Sequence, residues 1–209
     1  MPKMWTRLVM LLAAVTMGGS AMAADAENTL YMDLAFGRVV IVLRPDLAPA
    51  TVAQIKKLTR AGFYDGTVFH RVIDGFMVQG GDPTGTGGGG SGHKLKAEFS
   101  KEKHVRGILS MARTSDPNSA DSQFFIMLGS SPALDGQYTI FGQVESGMEY
   151  VDKIKKGDSN NNGKVTNPDK IVKMQVAADA AAADKKAAQP KPKEKEPEQV
   201  ITPHGIVPK

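Results

Sequence analysis

Short apolar runs recur along the middle of the chain and predict β-strands. Residues 30–34 alternate between apolar and polar side chains, and the run RVVIVL at 38–43, which follows the turn Phe36-Gly37, is nearly continuous and β-branched. This pair of runs is typical of a hairpin. The further predicted strands cover residues 68–71, 76–79, 108–112, 124–128, 138–144 and 171–176. Many short strands separated by Gly, Pro and Asp predict a mostly β domain, built as a barrel or a sandwich.

Two segments show the helical spacing of apolar residues instead. The first, over residues 49–61, begins with Pro49, carries apolar residues at a spacing of three and stops at Gly62. The second, over residues 147–156, carries an apolar stripe and ends in lysines, which suit the negative end of a helix dipole. A closed barrel of about eight strands exposes its core at both ends, and two amphipathic helices are what is needed to cover them.

The N-terminal segment has the three parts of an export signal. Two basic residues precede an apolar run at 8–17, and Ala-Met-Ala at 21–23 supplies the small residues of a cleavage site. An apolar run of this length is too short to span the ~30 Å hydrocarbon core of a bilayer. We therefore expect residues 1–23 to be a signal peptide that is cleaved after Ala23. An uncleaved membrane anchor is the alternative.

The C-terminal segment, residues 178–209, has the composition of a disordered tail. It holds five prolines, and six lysines oppose five acids, while aromatic residues are absent from it. Such a stretch cannot bury enough apolar surface to offset the loss of chain entropy. We expect a linker or solubilising tail, with a tether to a partner or to the cell envelope as the alternative. One folded domain then covers residues 28–177.

Composition narrows the classes of function. The chain has no cysteine, which excludes disulfide scaffolds, cysteine nucleophiles, thiolate zinc sites and iron–sulfur clusters. Lys and Arg number 26 against 22 Asp and Glu, and the net charge of +4 is too small to indicate nucleic-acid binding without a focused basic patch. The four histidines lack the HxxxH and HExxH spacings of metal sites, and no GxSxG motif supports a Ser-His-Asp hydrolase.

Two loop motifs resemble ligand-binding sequences. The glycine run at 85–90 matches a dinucleotide-binding pattern, but Asp82-Pro83 precedes it and no helix is predicted after it, so we expect a flexible surface loop. Residues 158–169 place oxygen-bearing side chains and a glycine at the positions of a calcium loop, with Asp169 where a Glu is usual. A polar turn between the second helix and the last strand explains the same residues, and both interpretations stay open.

The segment FHRVIDGFMVQGGD at 69–82 combines a cation, an amide and large apolar residues around one turn. Alternate side chains of an extended segment share a face. The hairpin-type turn at Asp74-Gly75 can therefore fold Arg71 back beside Gln79, next to the apolar residues that follow the turn. The alternative is a core strand that carries a solvated arginine.

Three further segments join this one: GILSMART (107–114), SQFFIMLG (122–129) and LDGQYTIFGQV (134–144). Together the four segments resemble the cyclophilin family of peptidyl-prolyl cis-trans isomerases, and FHRxxxGFMxQGGD with SQFF is a highly specific combination. The resemblance extends from about residue 30 to residue 176. With the export signal, the chain is similar to periplasmic cyclophilins of Gram-negative bacteria, which implies a periplasmic location.

The resemblance implies a closed eight-stranded antiparallel β-barrel capped by two α-helices, with the active-site groove outside the barrel. It implies that Arg71 is the catalytic arginine and that Gln79 assists it. The substrate-binding positions that it implies are Phe76, Met77, Ala112, Gln123, Phe125, Leu134 and Tyr138. Tyr138 stands where many members have a histidine, and we expect its ring to supply the same flat apolar wall. Ala133 stands where eukaryotic members have a tryptophan, so we expect weak binding of cyclosporin-type inhibitors with activity retained.

The implied activity is rotation about X–Pro bonds in exported or periplasmic proteins, which assists their folding. No covalent bond is made or broken, so we expect no cofactor and no metal. The expected partners are proline-containing polypeptides, with no nucleic acid and no stable membrane insertion after cleavage, and we expect a monomer. Two alternatives remain: a non-catalytic proline-peptide binding module or chaperone, and a structural envelope protein whose tail is the functional part.

Overall fold

The computed structural model describes residues 25–188, with side chains through residue 183, and contains one antiparallel sheet of eight strands. The strands are β1 (Thr29–Leu34), β2 (Gly37–Leu43), β3 (Arg71–Ile73), β4 (Met77–Gly80), β5 (Ile108–Met111), β6 (Phe124–Met127), β7 (Ile140–Ser146) and β8 (Lys173–Val176). Their order is β3-β4-β6-β5-β7-β2-β1-β8. The prediction of a mostly β domain with eight antiparallel strands is confirmed. The segment 1–23 lies outside the described residues.

The sheet is an open half-barrel, and the prediction of a closed barrel is wrong. Its outer strands β3 and β8 do not pair with each other. Between them, Val68 and Lys170 form only an isolated bridge. The strand predicted over 68–71 is therefore shifted along the chain, because β3 begins at Arg71 and shares only that residue with the prediction. The opposing segment cannot continue a ladder, because Asn167 has a left-handed φ of 53° and Pro168 has no N–H to donate.

Among the described residues, the helices that pack on the sheet are α1 (Pro49–Arg60), α2 (Met148–Asp152) and α3 (Ala177–Ala188). The two predicted helices are present, but α2 ends at Asp152 rather than at 156. The chain turns away there because the Asp169 carboxylate accepts the Lys155 backbone N–H at 2.8 Å, and because Gly157 packs against the Gly163 backbone too closely for any side chain. Within residues 25–188, no helix is long and apolar enough to cross a bilayer.

Helix α3 occupies the start of the segment in which the sequence predicts a disordered tail. Its first residue, Ala177, is buried, and the Arg60 guanidinium at the end of α1 pairs with the Asp179 carboxylate at 2.9 Å. The same guanidinium pairs with the Glu27 carboxylate at 2.8 Å. These contacts attach the beginning of α3 to the domain, and residues 189–209 lie outside the described part of the chain.

The two faces of the sheet bury separate apolar clusters. On β6, Phe124 and Ile126 belong to the large inner core, which α1 also covers, while the alternate residues Phe125 and Met127 point to the opposite face. The smaller group on that face, which we call the outer cluster, consists of Met77, Ile108, Phe125, Met127 and Ile140. The outer cluster is the floor on which the candidate site lies.

Candidate active site

An open pocket of about 110 Å³ lies over the outer cluster, and we call it the central pocket. Its lining residues are Arg71, Phe76, Met77, Gln79, Ala112, Arg113, Phe125, Leu134 and Tyr138. The structure thus brings together every residue that the sequence nominated except Gln123. Gln123 lies next to the central pocket, in the wall of a larger neighbouring cavity of about 430 Å³ that also contains residues 87–90, and we call this cavity the loop pocket.

The hairpin of β3 and β4 places Arg71 directly opposite Gln79. The turn between the strands requires a glycine, because Gly75 has a φ of +68°. Within the turn the Phe76 backbone N–H donates to the Ile73 carbonyl at 3.0 Å. The Arg71 Nη1 group then donates to Gln79 Oε1 at 3.2 Å. The predicted juxtaposition of these two side chains is confirmed.

A second, distant segment also holds the Arg71 guanidinium. Nε of Arg71 donates to the Asn162 carbonyl at 3.0 Å, and Nη2 donates to Asn162 Oδ1 at 2.8 Å. A guanidinium carries five N–H donors, so with three in use two remain for a ligand. Burial lowers the pKa of Arg71 below its ordinary value, but arginine stays protonated in proteins. The site therefore contains a fixed cation with unused donors.

A chain of amide groups extends from Arg71 into the loop pocket. Gln79 Nε2 donates to Gln123 Oε1 at 3.0 Å, and Gln123 Nε2 donates in turn to the carbonyl oxygens of Gly87 and Gly89 at 2.9 and 2.8 Å. Each amide accepts from one neighbour and donates to the next, which fixes the orientation of both glutamines. The glycine run predicted as a flexible surface loop is thus tied to the candidate site.

Asp82 anchors the other side of the glycine run. Its buried carboxylate accepts the Thr84 hydroxyl at 2.8 Å and the backbone N–H groups of Gly87 and Gly89 at 2.6 and 3.1 Å. Burial alone raises the pKa of Asp82, but these hydrogen bonds, with the Thr84 hydroxyl foremost, outweigh it and hold the pKa at about 2. The carboxylate therefore stays ionised at neutral pH and keeps the loop in place.

Aromatic rings form the deep side of the central pocket. The Phe125 and Tyr138 rings meet edge to face, with centroids 5.7 Å apart, a favourable geometry for two aromatic groups. The His104 ring stacks on Phe125 with centroids 6.2 Å apart and also meets the Tyr138 ring edge to face at 6.4 Å. The Arg113 guanidinium lies 4.5 Å from the Tyr138 ring centroid, within cation–π distance. The Tyr138 ring is therefore held between the Phe125 ring and the Arg113 guanidinium.

The His104 ring also belongs to a hydrogen-bonded row of three residues, which are Ser110, His104 and Asp135. The His104 Nδ1 atom lies 3.2 Å from Asp135 Oδ1, and its Nε2 atom lies 3.1 Å from Ser110 Oγ. Such a row is the arrangement of a Ser-His-Asp hydrolase, but Ser110 has no exposed surface and no substrate can reach it. The row supports the pocket floor and does not act as a nucleophile.

The candidate calcium loop has a structural role. Asp158 Oδ1 accepts the Asn160 backbone N–H at 2.9 Å, Asn162 Oδ1 accepts from Arg71, and the Asp169 carboxylate accepts from the Lys155 backbone. Within residues 25–188, no group of three His, Cys, Asp or Glu side chains is placed to hold a metal ion. The loop is a polar turn that contains the 3-10 turn Ser159–Asn161, and one of its asparagines holds the arginine of the site.

Three residues of the site have contacts that the sequence motifs do not indicate: Arg113, Asn162 and Asp82. Arg113 directly follows the strand predicted over 108–112, but its contact with Tyr138 joins two segments that are distant in sequence. Asn162 was visible only as a possible metal ligand, because its contact with Arg71 spans 91 positions of sequence. Asp82 directly precedes the glycine run. A carboxylate at this place can accept the backbone N–H groups of the run, so its anchoring role could have been predicted from the sequence.

The arrangement favours binding of a small apolar ring beside a fixed cation. The pocket floor is apolar and aromatic, and the two unused N–H groups of Arg71 stand at its rim. Donors of this kind stabilise a lone pair or partial negative charge that develops in a bound group.

Comparison with known proteins gives one family. The family model of the cyclophilin-type peptidyl-prolyl cis-trans isomerases matches residues 29–176. A probable peptidyl-prolyl cis-trans isomerase of Brucella suis is 55% identical over 172 residues, which cover 77% of this chain and 88% of that protein. Peptidyl-prolyl cis-trans isomerase B of Bacillus subtilis is 46% identical over 123 residues, covering 58% of this chain and 85% of that protein.

A solved structure agrees with the sequence relatives. The cyclophilin-type peptidyl-prolyl cis-trans isomerase of Cryptosporidium parvum, crystallised in the presence of the dipeptide Ala-Pro, matches with a TM-score of 0.65. It is 34% identical, and the match covers 71% of this chain and 98% of that one.

Proposed function

The chain belongs to the cyclophilin-type peptidyl-prolyl cis-trans isomerase family, and from this premise we propose that Arg71 and the central pocket catalyse rotation about X–Pro bonds. The enzyme class is that of the family: a peptidyl-prolyl cis-trans isomerase. The structure of the Cryptosporidium relative with Ala-Pro supports the assignment of proline-containing peptides as substrates.

The chemistry of the reaction explains why these residue types suffice. Rotation about a peptide bond requires loss of amide resonance, and the barrier is ~18–20 kcal/mol. In the twisted state the prolyl nitrogen becomes pyramidal and gains a lone pair, which the planar forms lack. An N–H donor that reaches this nitrogen therefore binds the twisted state more tightly than the planar states, and this difference in binding is catalysis. Arginine suits the task because its charge and its fork are fixed.

The residues divide into two roles. Phe125, Met77 and Leu134 bury the proline ring and fix the axis of rotation, with Phe76, Ala112 and Tyr138 completing the wall of the pocket. Gln79 and Gln123 keep the guanidinium in place through the amide chain. The observation that carries the proposal is the Arg71 guanidinium, held by three hydrogen bonds at the rim of an apolar pocket with two N–H groups unused.

Substitution of Arg71 tests this assignment. We expect Arg71→Ala to lower kcat/KM on an Ala-Pro peptide by about 10²–10³-fold, the usual cost of one lost donor in a transition state. Arg71→Lys retains the charge but loses the fork, and we expect it to remain strongly impaired. The measurement is exchange spectroscopy by NMR on the peptide, which needs no coupled enzyme. Arg44→Ala, which removes a partly exposed arginine that pairs with Asp46 and lines none of the pockets described above, is the matched control. Wild-type turnover in Arg71→Ala contradicts the assignment.

We further propose a periplasmic location and a role in protein folding, on the strength of the sequence at residues 1–23. The chain that reaches the periplasm then starts at residue 24, acts as a monomer, needs no cofactor and binds cyclosporin-type inhibitors weakly because of Ala133. The intact mass of protein from the periplasmic fraction tests cleavage after Ala23, and a chain that still begins at Met1 contradicts it.

A refolding assay tests the folding role and separates it from simple binding. The substrate is a protein whose slow refolding phase is limited by prolyl isomerisation, which takes tens to hundreds of seconds at 25 °C. An enzyme accelerates this phase at catalytic concentration, and Arg71→Ala does not. A non-catalytic binding module changes the yield of folded protein but not the rate of the slow phase, so that outcome contradicts the proposal.

A further inference from the structure

Tyr138 carries a hydroxyl group that the protein itself does not use. Within the described residues this hydroxyl makes no hydrogen bond, and it keeps accessible surface, because the buried side-chain N and O atoms without a partner belong there to Thr59 and His70. Tyr64 differs, since its buried hydroxyl donates to the Ser122 carbonyl at 3.2 Å. Tyr138 lines the central pocket, so a free hydroxyl belongs to the wall of that pocket. The proposed function uses only the ring.

The ring that carries this hydroxyl is fixed by several neighbours. Phe125 and His104 meet it edge to face, with centroids 5.7 and 6.4 Å away, and the Arg113 guanidinium lies 4.5 Å from its centroid. Arg113 is itself fixed to the segment that holds the ring, because its Nε and Nη2 groups donate to the Gln137 carbonyl at 3.0 and 2.9 Å. A donor on a ring that is already immobile loses little side-chain entropy when a ligand binds to it.

The Tyr138 hydroxyl and the Arg71 guanidinium serve the same pocket. Both residues line it, and they act on each other electrostatically. Burial lowers the pKa of Arg71, and the charge of ionised Tyr138 acts in the opposite direction. The hydroxyl is therefore within electrostatic reach of the guanidinium, and a proline held at Arg71 lies near both groups.

A bound peptide changes the surroundings of this hydroxyl. A proline ring in the central pocket displaces water from the pocket wall, and a hydroxyl left there without a partner opposes binding. The proline has no N–H, and its ring has no acceptor. The nearest acceptors of the peptide are two backbone carbonyls, that of the proline and that of the residue before it. A hydroxyl donor suits either of them, because Arg71 is assigned to the prolyl nitrogen.

From this geometry we infer that the Tyr138 hydroxyl is a second substrate-binding donor of the site, which donates a hydrogen bond to a backbone carbonyl next to the isomerised proline. Arg113 is the positioning residue that holds the ring for this contact. The inference rests on the proposed function, because the contact forms only when Arg71 and the central pocket hold an X–Pro peptide. It gives the polar end of the tyrosine a role that a flat apolar wall does not require.

Tyr138→Phe tests the inference, because it removes the hydroxyl and keeps the ring. We expect kcat/KM on a blocked Ala-Ala-Pro-Ala peptide, measured by NMR exchange spectroscopy, to fall about three- to tenfold, the worth of one hydrogen bond. The free energy of unfolding should stay unchanged, because no described residue bonds this hydroxyl. Tyr31→Phe is the matched control: the Tyr31 ring also lies 4.5 Å from an arginine, Arg38, but Tyr31 lines neither the central pocket nor the loop pocket. Its turnover should equal that of the wild type.

Thioxo peptides locate the contact on the substrate. In one peptide sulfur replaces the carbonyl oxygen of the proline, in a second it replaces that of the alanine before the proline, and sulfur is a weak acceptor. The ratio of Kd in Tyr138→Phe to Kd in the wild type compares each peptide with itself. We expect a ratio of about three to ten for the all-oxygen peptide and a ratio near one for one of the two thioxo peptides.

A double-mutant cycle tests the positioning role of Arg113. Arg113→Gln removes the cation that lies against the ring, and we expect it to raise Kd for the all-oxygen peptide more in the wild-type background than in the Tyr138→Phe background. A purely structural role of Arg113 in its own loop weakens binding equally in both backgrounds.

Several outcomes overturn the inference. Wild-type kcat/KM in Tyr138→Phe removes it, and so does a Kd ratio that is the same for all three peptides. A lower free energy of unfolding in Tyr138→Phe shows that the hydroxyl supports the fold rather than the substrate. Additive effects of the two substitutions remove Arg113 as the positioning residue. Failure of the proposed function looks different, because Arg71→Ala then keeps wild-type turnover whatever Tyr138→Phe shows.

Discussion

Phe124 and Phe125 are neighbours on one strand, yet they serve opposite faces of the sheet. The Phe124 ring is fully buried in the inner core, edge to face with Tyr64 at 5.7 Å and with Phe141 at 6.3 Å. The Phe125 ring is also nearly buried, but its neighbours are His104 and Tyr138, and it forms the floor of an open pocket. The period of two along a strand thus assigns one residue to the fold and the next to the site.

The two faces of the sheet differ in the elements that cover them. The inner core is covered by α1 and by the curvature of the sheet, and its members are almost all apolar. The outer cluster has five buried members and is left open on one side, where Arg71, Gln79 and Tyr138 form a polar rim. The members of the outer cluster are themselves nearly buried, but the side that faces the central pocket is left for a ligand to cover. This comparison predicts that truncation on one face costs stability, and on the other costs binding.

Phe124→Ala is expected to have the largest effect. Removal of a fully buried phenyl ring leaves a cavity that closely packed neighbours cannot fill, and we expect the free energy of unfolding to fall by ~3–5 kcal/mol. Urea denaturation followed by circular dichroism measures the loss. A loss below about 1 kcal/mol contradicts the assignment of Phe124 to the inner core.

Phe125→Ala sharpens the comparison. Its cavity opens into the central pocket, so water can enter and the free energy of unfolding should fall less than in Phe124→Ala. We expect KM for an Ala-Pro peptide to rise by about tenfold or more, because the proline ring loses ~1.5–3 kcal/mol of apolar contact. Peptide titration and urea denaturation on both variants give the two quantities. Equal losses of stability with unchanged KM contradict the division between the faces.

Local signals account for the parts of this molecule that sequence predicts well. The turn glycine at 75 and the alternation of β4 define the pairing of Arg71 with Gln79 within a dozen residues. The open edge of the sheet, the early end of α2 and the hydrogen bond from Arg71 to Asn162 depend on segments far apart in sequence. The apolar pattern of these segments carries no information on such contacts, because they are single hydrogen bonds from carboxylate and amide groups.

The free energy of unfolding should depend on pH because two buried histidines, His104 and His70, have lowered pKa values. Burial lowers the pKa of His104 below its ordinary value of 6.5, although Asp135 acts in the opposite direction, and burial likewise lowers the pKa of His70. The unfolded chain therefore takes up these protons first, and stability falls as the pH drops below about 6.5. We expect the free energy of unfolding to decrease by roughly 1–2 kcal/mol between about pH 7.5 and about pH 5.5.

Urea denaturation across this pH range measures the decrease. His104→Asn should flatten the pH dependence, because this variant removes the titrating ring beneath Phe125 and Tyr138 while its amide can still contact Asp135. His93→Gln, which replaces an exposed histidine, is the control and should leave the dependence unchanged. A wild-type free energy of unfolding that is constant over the range contradicts the assignment of buried, neutral histidines.

Asn162→Gly is expected to have the smallest effect, and it tests whether the rim of the outer face depends on a distant loop. Asn162 has a φ of 51°, which glycine adopts without strain, so this substitution removes only the side-chain amide that accepts from Arg71 at 2.8 Å. We expect kcat to fall about three- to tenfold, the worth of one hydrogen bond, with KM and the free energy of unfolding nearly unchanged. Asn167→Gly is a matched control, since Asn167 also has a left-handed φ of 53° but makes no contact with Arg71. If the two variants turn over peptide equally well, Arg71 does not need the Asn162 side chain, and Gln79 with the Asn162 backbone carbonyl is enough to hold the guanidinium.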